Sequence, residues 1–359
     1  MVKILHTSDL HFKKDDLIYC QDIWREILAI GNSKKVDAVL ISGDVFDSFP
    51  ELESCRESFL EIAMQSKLSI YAIAGNHEYL SMGKQSLDTY DLTKIVWLYK
   101  PGYQKIEIKS KDWELFVLPY NEDYADYRNW KIPIKEKPRV LMAHGLVPEA
   151  VSYTGPDSED GSHILELDML ARFQSDYIAL GHIHKRMDVP IQNLPIFYPG
   201  SPRVWRKGEI GVRSVNLLEF NDSGKMHLEP ITIQSAGEYR EFIINVQPDG
   251  NLPNFNPMDE GAGKQDFIFI IIKGVADNET LLKNQIENRL SEWSKKYRKV
   301  EIDVTSVKFL EGISNEIIVK KFLAKWYEKF SNVTTSNQKN ILLKARQIGL
   351  EEIVGKLKA

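Results

Sequence analysis

Five short apolar stretches, at residues 2–5, 38–41, 70–73, 139–142 and 177–180, mark the first half of the chain. Each gives way within a few residues to glycine, histidine, aspartate or asparagine. Four residues is strand length, and the segments between them carry a different period. Within residues 19–30, Ile23, Ile27 and Ile30 fall at helical spacing, with Trp24 and Leu28 beside them. Cys55, Phe59, Ile62 and Ala63 repeat that pattern on a second helix. Strands alternating with amphipathic helices predict an α/β layer structure with a largely parallel sheet. From about Arg186 the pattern changes to strands and turns. Residues 212–220 and 227–233, joined by Asn221-Asp222-Ser223-Gly224, predict a hairpin, so the first domain is expected to end on antiparallel strands.

Gln234-Ser235-Ala236-Gly237 marks a hinge. Beyond it the sequence predicts a strand at 238–246, a Pro-, Gly- and Asn-rich loop at 248–264, a buried strand at 267–273, a helix at 278–296 and a strand at 300–305. The remainder is helical, at 317–330 and 337–358. The expected organisation is therefore a first domain over 1–235, a small α+β unit over 236–312 and a helical segment over 313–359. There is no internal repeat and no low-complexity tract.

Composition narrows the class without fixing it. Of 359 residues, 43% are hydrophobic and 27% charged, which is ordinary for a globular protein. No apolar run approaches the roughly 20 residues needed to span a bilayer. The N-terminus, Met-Val-Lys-Ile-Leu-His, turns polar at once and is not read as a signal peptide. The two cysteines, Cys20 and Cys55, both fall in predicted helices. They exclude a disulfide framework and favour a reducing, cytoplasmic setting with no membrane attachment. Net charge is −5, but it is unevenly spread. Residues 240–359 hold 19 Lys and Arg against 16 Asp and Glu, leaving 27 against 35 in residues 1–239. Bound cations would offset part of that acidity.

The candidate chemistry lies at the strand ends. Five of the eight histidines belong to the runs Asp9-Leu10-His11, Gly75-Asn76-His77-Glu78, Ala143-His144-Gly145 and Gly181-His182-Ile183-His184, and Gly43-Asp44-Val45-Phe46-Asp47 follows the second strand. Taken singly, Asp9, His11 or Asp44 reads as an ordinary turn residue. Together, five such runs at five strand ends predict one sheet edge that gathers carboxylate, amide and imidazole donors. That mixture suits two divalent cations, and two cations in one cleft suit attack on a phosphate. The set contains no thiolate, and Mn²⁺ fits its oxygen and nitrogen donors. His77 would sit beside the metals, with a histidine's pKa suited to proton donation. Asp47 reads as support for a ligand or as a helix cap. His6, inside the first strand, reads as a hydrogen-bonded core residue, and His163 and His227 read as surface residues.

At these residues the chain resembles the calcineurin-like metallophosphoesterases, over about residues 1–235. The resemblance implies a four-layer-type β-sandwich flanked by helices. It implies one metal held by Asp9, His11, Asp44 and His184, and a second held by Asp44, Asn76, His144 and His182, with Asp44 as the bridge. It gives His77 the role of transition-state stabiliser or general acid, and it points to Mn²⁺.

Within that superfamily, the runs His6-Thr7-Ser8-Asp9-Leu10-His11 and Gly43-Asp44-Val45-Phe46-Asp47 are similar to those of the SbcD-type DNA repair exonucleases. Tyr198-Pro199-Gly200-Ser201-Pro202, with Arg203, Arg206 and Lys207 behind it, resembles that group too. This turn reads either as a contact to a phosphate backbone or as a loop that closes the sandwich. The α+β unit matches the capping domain of such nucleases. Its helix carries Lys283, Arg289, Lys295 and Lys296, with Arg298 and Lys299 beyond, interrupted by Glu287 and Glu292.

The implied function is a two-metal phosphodiesterase that acts on DNA as an exonuclease and endonuclease in double-strand-break repair. The implied partners are DNA, an SMC-like ATPase of the SbcC type and a second copy of the chain, the last through the helices at 19–31 and 53–66. Phe322, Leu323, Trp326, Tyr327 and Phe330 form an aromatic stripe at helical spacing. It either packs on the chain's own capping domain or docks on the ATPase. The alternative function is a small-molecule phosphodiesterase or phosphatase of the same superfamily.

Overall fold

The computed structural model describes residues 1–80, 84–85, 95–98, 102–106, 108, 112–120, 125–150, 164–187, 191–247 and 250–357. His163 lies outside them. The chain forms two compact units, Met1–Gly237 and Glu238–Ala359.

In the first unit, strands β1 (Val2–Thr7), β2 (Ala38–Ser42), β3 (Ser69–Ile73) and β4 (Ile95–Leu98) precede β5 (Gln104–Ile106), β6 (Glu114–Leu118), β7 (Arg139–His144), β8 (Tyr177–Gly181) and β9 (Ile196–Phe197). The antiparallel pair β10 (Ser214–Phe220) and β11 (Met226–Thr232) closes the series, its ends within two residues of the predicted hairpin arms. One six-stranded sheet has the order β11-β10-β1-β2-β3-β4, and a five-stranded sheet has the order β9-β8-β7-β6-β5. Strands β1 to β4 are parallel, as are β6 to β9, while β10 runs antiparallel to β1.

Side-chain alternation explains how the sheets stack. Val2, Ile4, Leu40, Tyr71 and Ile73 of the first sheet share one buried core with Leu115, Val117, Val140, Met142 and Tyr177 of the second. Residues of the opposite parity face outward. On the second sheet, Phe116, Leu141, Ile178 and Leu180 pack with Met169, Leu170 and Phe173. Helices α1 (Leu17–Lys34) and α2 (Phe49–Met64) meet through Trp24 and Phe59, whose rings stack at 5.0 Å. Each fully buried Leu, Ile, Val or Phe contributes about 1.5–3 kcal/mol. Because both faces of the central strands are covered, they read as near-continuous apolar runs. The result is the expected layered α/β sandwich.

Register sets up the site. Thr7 pairs with Ile41, Ser42 with Ile73, and Gly181 with His144, so neighbouring parallel strands end level. The residues that follow each strand therefore emerge side by side. His6 points between the sheets. Its Nδ1 lies 2.9 Å from Tyr177 Oη and its Nε2 2.9 Å from Ser42 Oγ, and burial lowers its pKa to about 3. It is the core histidine expected. His227 is exposed.

In the second unit, parallel strands β12 (Glu238–Asn245), β13 (Phe267–Ala276) and β14 (Lys299–Phe309) carry helix α3 (Glu279–Trp293) against a core of Ile244, Ile268, Ile270, Ile272, Leu282 and Trp293. Asn278 caps α3, its side chain accepting from Leu281 N at 2.9 Å. A single helical turn, Leu310–Ile313, leads into two longer helices, α4 (Ile317–Ser331) and α5 (Ser336–Leu357). The aromatic stripe is largely consumed inside this unit. Phe322 and Leu323 pack on Val275, Val319 and Leu350, and Trp326 Nε1 donates to Leu342 O at 2.6 Å. Tyr327 stays exposed. The basic face of α3 is likewise internally balanced in part. Lys283 pairs with Glu279 at 2.7 Å, Lys296 with Glu292 at 2.6 Å, and Arg289 donates to Pro253 O. Both cysteines are buried thiols. Among the described residues, no helix is long and apolar enough to cross a membrane.

Candidate metal centre

The loops beyond β1 and β2 run together past the sheet edge. Asp9 N donates to Gly43 O at 3.1 Å, His11 N to Asp44 O at 3.0 Å, and Phe12 N to Val45 O at 2.8 Å. Side chains turn inward because the backbone leaves ordinary space: φ is +53° at Asp9, +43° at His11, +50° at Asp44 and +98° at His182. Two glycines are needed for close approach. A Cβ on Gly75 would collide with Asp44 Oδ1, and one on Gly181 with Ser42 O.

All seven predicted ligands and His77 meet here. Asp9, His11, Asp44 and His144 are fully buried, and His182 is nearly so. Three overlapping groups have ligand atoms within 4.8 Å of one another: Asp9 with His11 and His184; Asp9 with Asp44 and His144; and His11 with Asp44 and His77. His11 Nε2 lies 3.0 Å from His184 Nε2, and His144 Nε2 lies 3.3 Å from Asp44 Oδ2. Asn76 Oδ1 joins the cluster at 2.9 Å from His144 Nε2 and 3.1 Å from His182 Nδ1. Two donor atoms at right angles around a shared ion, each about 2.1 Å from it, stand about 3 Å apart. These separations fit that requirement.

The electrostatics fit cations too. Two carboxylates, Asp9 and Asp44, are buried within one cluster, an arrangement that is costly unless positive charge accompanies it. Burial pushes the Asp9 carboxyl up. Burial works in the same direction on Asp44, but His144, His77 and His11 overcome it and hold that carboxyl well below the usual range. Burial lowers His11 to about 3, which leaves a neutral imidazole able to ligate. At His144 burial opposes the proton, yet Asp44 beside it brings the group up to about 9.

Partners behind the ligands fix ring orientation. His144 Nδ1 donates to Ser42 O at 2.8 Å and His184 Nδ1 to Glu209 Oε1 at 2.9 Å, so each presents Nε2 to the cluster. His77 Nδ1 donates to Asp47 O at 2.6 Å, and its backbone N–H donates to Asp44 Oδ1 at 3.0 Å. Asp47 Oδ1 lies 3.4 Å from His11 Nδ1 and accepts from Trp205 Nε1 at 2.6 Å. Of the two readings of Asp47, the geometry selects support for a ligand, because the residue at the α2 cap is Ser48.

Sequence reasoning missed Glu209, Trp205 and Glu78. The Trp205 ring stacks on His11 with centroids 4.3 Å apart. The Glu78 carboxylate accepts from Phe46 N at 2.8 Å and Gly75 N at 2.9 Å, tying two ligand loops together. Burial, then the like charge of Asp44, raises it to about 7. Glu78 stood inside a run already singled out, whereas nothing about Trp205 or Glu209 marks them in sequence.

The turn at 198–202 is a brace. Ser201 Oγ donates to Asp9 O at 2.8 Å, Ser201 N to His184 O at 3.0 Å, and Tyr198 Oη to Gly145 O at 2.9 Å. Arg203 is buried, donating to His11 O at 2.6 Å and Asp16 Oδ2 at 2.7 Å, so it is not available to a phosphate backbone. Arg206 and Lys207 are exposed.

The sequence profile described as calcineurin-like phosphoesterase matches residues 2–186. A DNA double-strand break repair protein Mre11 from Saccharolobus solfataricus is 24% identical, with 99% of this chain and 98% of that one covered. The SbcD component of the nuclease SbcCD from Bacillus subtilis is 24% identical over 78% of this chain and 81% of its own. An Mre11 protein of Methanocaldococcus jannaschii is 29% identical over 59% of each.

Proposed function

The chain belongs to the calcineurin-like phosphoesterase family and is a metal-dependent phosphoesterase; from that premise we propose that it is a DNA nuclease of the double-strand-break repair type. The observation that carries the reading is the convergence of Asp9, His11, Asp44, Asn76, His144, His182 and His184 into one buried donor set. The end-to-end likeness to a repair protein supplies the substrate class.

Asp9, His11, Asp44 and His184 would hold one cation, and Asp44, Asn76, His144 and His182 the other, both Mn²⁺. Bound there, the pair supplies charge that polarises a phosphoryl oxygen and acidifies water. The chain's own part is orientation and proton handling. Ser42 O and Glu209 hold the His144 and His184 rings in the ligating tautomer. Asp47 O fixes the His77 ring, and His77 delivers a proton to, or hydrogen-bonds, the oxygen that gains charge as the phosphodiester breaks.

The partners we propose follow the same reading. The C-terminal helices expose Ile317, Ile318, Tyr327, Ile341 and Ile348, a surface suited to an SMC-like ATPase of the SbcC type. Helices α1 and α2, with Ile18 and Met64 exposed, suit a homodimer contact. The expected setting is the cytoplasm.

The test is to incubate purified protein and Mn²⁺ with a labelled DNA duplex and, in parallel, with a chromogenic phosphodiester. Cleavage of the duplex that EDTA abolishes is expected. Cleavage of the small ester alone, with no gain on DNA when the ATPase is added, would return the assignment to a small-molecule phosphodiesterase.

A further inference from the structure

A cavity of about 420 Å³ opens beside the ligand cluster, on the first unit. His184 and Glu209 belong to its wall, so it adjoins the ligands directly. Among the described residues, the wall also carries five cationic side chains, Lys185, Arg186, Arg206, Lys207 and Arg213, against one carboxylate, Glu209. That is a strong local excess in a chain whose net charge is −5. Glu209 is already engaged, by His184 Nδ1 at 2.9 Å and Arg213 Nη1 at 3.5 Å.

The cations are placed by the fold. Arg186 Nη1 donates to Asn216 Oδ1 at 2.6 Å and to Ser214 Oγ at 3.3 Å. These bonds fix the guanidinium in the cavity wall. Arg206 lies 4.0 Å over the Trp205 ring, and that ring stacks on His11. Guanidinium forks and ammonium groups around one concavity are the donors that recognise phosphate oxygens.

We propose that this cavity is an anion subsite that takes a second phosphate of the nucleic-acid substrate, beside the phosphate at the ligand cluster. It rests on the nuclease reading above. The shared chemistry is a phosphate on Arg and Lys donors, and it has two sources: an internal backbone phosphate or the terminal phosphate of a strand end.

Binding separates this claim from cleavage. Fluorescence anisotropy of a short single-stranded oligonucleotide is measured in EDTA across a salt series, with and without a terminal phosphate. The full-length wild type is compared with K185Q/K207Q and with the charge-keeping K185R/K207R. Both lysines are exposed, so all three proteins are expected to melt together. K185Q/K207Q is expected to bind more weakly, with a salt slope shallower by about 0.7 per lost contact, and K185R/K207R to restore both. Equal losses on the two oligonucleotides identify the backbone phosphate, and a loss confined to the phosphorylated one identifies the strand end. If K185Q/K207Q keeps the wild-type affinity and slope while wild-type protein cuts DNA in Mn²⁺, the subsite is wrong and the nuclease reading stands. Wild-type protein that neither binds nor cuts DNA overturns both.

Discussion

Among the described residues, eight non-glycine positions have positive φ, and four of them are candidate ligands: Asp9, His11, Asp44 and His182. Such a conformation costs on the order of 1–3 kcal/mol per residue and persists only where its surroundings hold it. Here the holding is visible in the backbone bonds between the β1 and β2 loops and in Glu78, which spans two loops. Strain concentrated on the donors is what a binding centre predicts and a set of surface turns does not. The same logic assigns work to Glu209. Because it fixes the His184 ring, Glu209→Gln is expected to weaken Mn²⁺ binding about 10–100-fold; isothermal titration on the purified variant measures this, and an unchanged affinity would assign Glu209 to packing alone. His77 should separate the other way. His77→Ala is expected to keep Mn²⁺ affinity within a few-fold and to lose about 10²–10⁴ in kcat. A variant that hydrolyses phosphodiester at the wild-type rate removes His77 from the reaction. The convergence of the seven candidate ligands and His77 was legible in sequence because ligand-type residues recur at the ends of apolar runs. Glu209 and Trp205 were not, because a turn with no periodicity carries them to the site.

Elements aim these residues, and one buried ion pair anchors the strands that do so. Arg139 opens β7 fully buried, donating from Nε and Nη2 to Glu114 Oε2 at 2.9 and 2.8 Å, while Lys105 Nζ donates to Glu114 Oε1 at 2.6 Å. Three adjacent strands, β5, β6 and β7, are thus tied at one end, and β7 delivers His144 at the other. Glu114→Gln leaves a buried guanidinium short of its countercharge and is expected to cost roughly 3 kcal/mol, toward the low end for a broken buried pair. Burial works to raise Glu114, but Lys105 and Arg139 outweigh it and hold the carboxyl below the ordinary range. A depressed carboxyl stabilises the fold above the ordinary glutamate value, about 4.3, and that contribution disappears as pH falls through the lower folded value. Urea melts of wild type and Glu114→Gln across acid pH should therefore converge, and a gap that stays constant would contradict the linkage. The buried parallel strands were readable as apolar runs. Strand β14 runs to Phe309 instead of ending near 305 because its later half lacks alternation: Val304, Thr305 and Ser306 are all exposed, Val307 is buried, and Lys308 and Phe309 are partly buried, a weaker signal. The aromatic stripe of α4 was ambiguous for a physical reason: one periodicity serves a core and a docking face equally, and only the contacts of Phe322, Leu323 and Trp326 show which was used.

For the molecule as a whole, every candidate ligand comes from the unit Met1–Gly237, which also holds the acidic share of the charge. Asp9 and Asp44 are buried there with no net gain from each other, so the metal-free first unit carries a destabilising pair of like charges that cations would relieve. The unfolded chain offers the same donors scattered, without a preformed cluster, so a cation that binds the folded state adds stability through mass action. At a free concentration a hundredfold above its dissociation constant, one ion adds about 2.7 kcal/mol. For a unit of this size that corresponds to roughly 5–10 °C in midpoint. Calorimetry of the full chain in EDTA and then in excess Mn²⁺ should show a rise of that order, and hydrogen exchange should slow in β1, β2, β3, β7 and β8, the strands that lead into the ligand loops. Asp44→Asn should blunt the rise, because Asp44 belongs to two of the three donor groups. A wild-type midpoint indifferent to Mn²⁺ would mean that the buried donors close on one another instead of on cations, and it would do so without reference to any substrate.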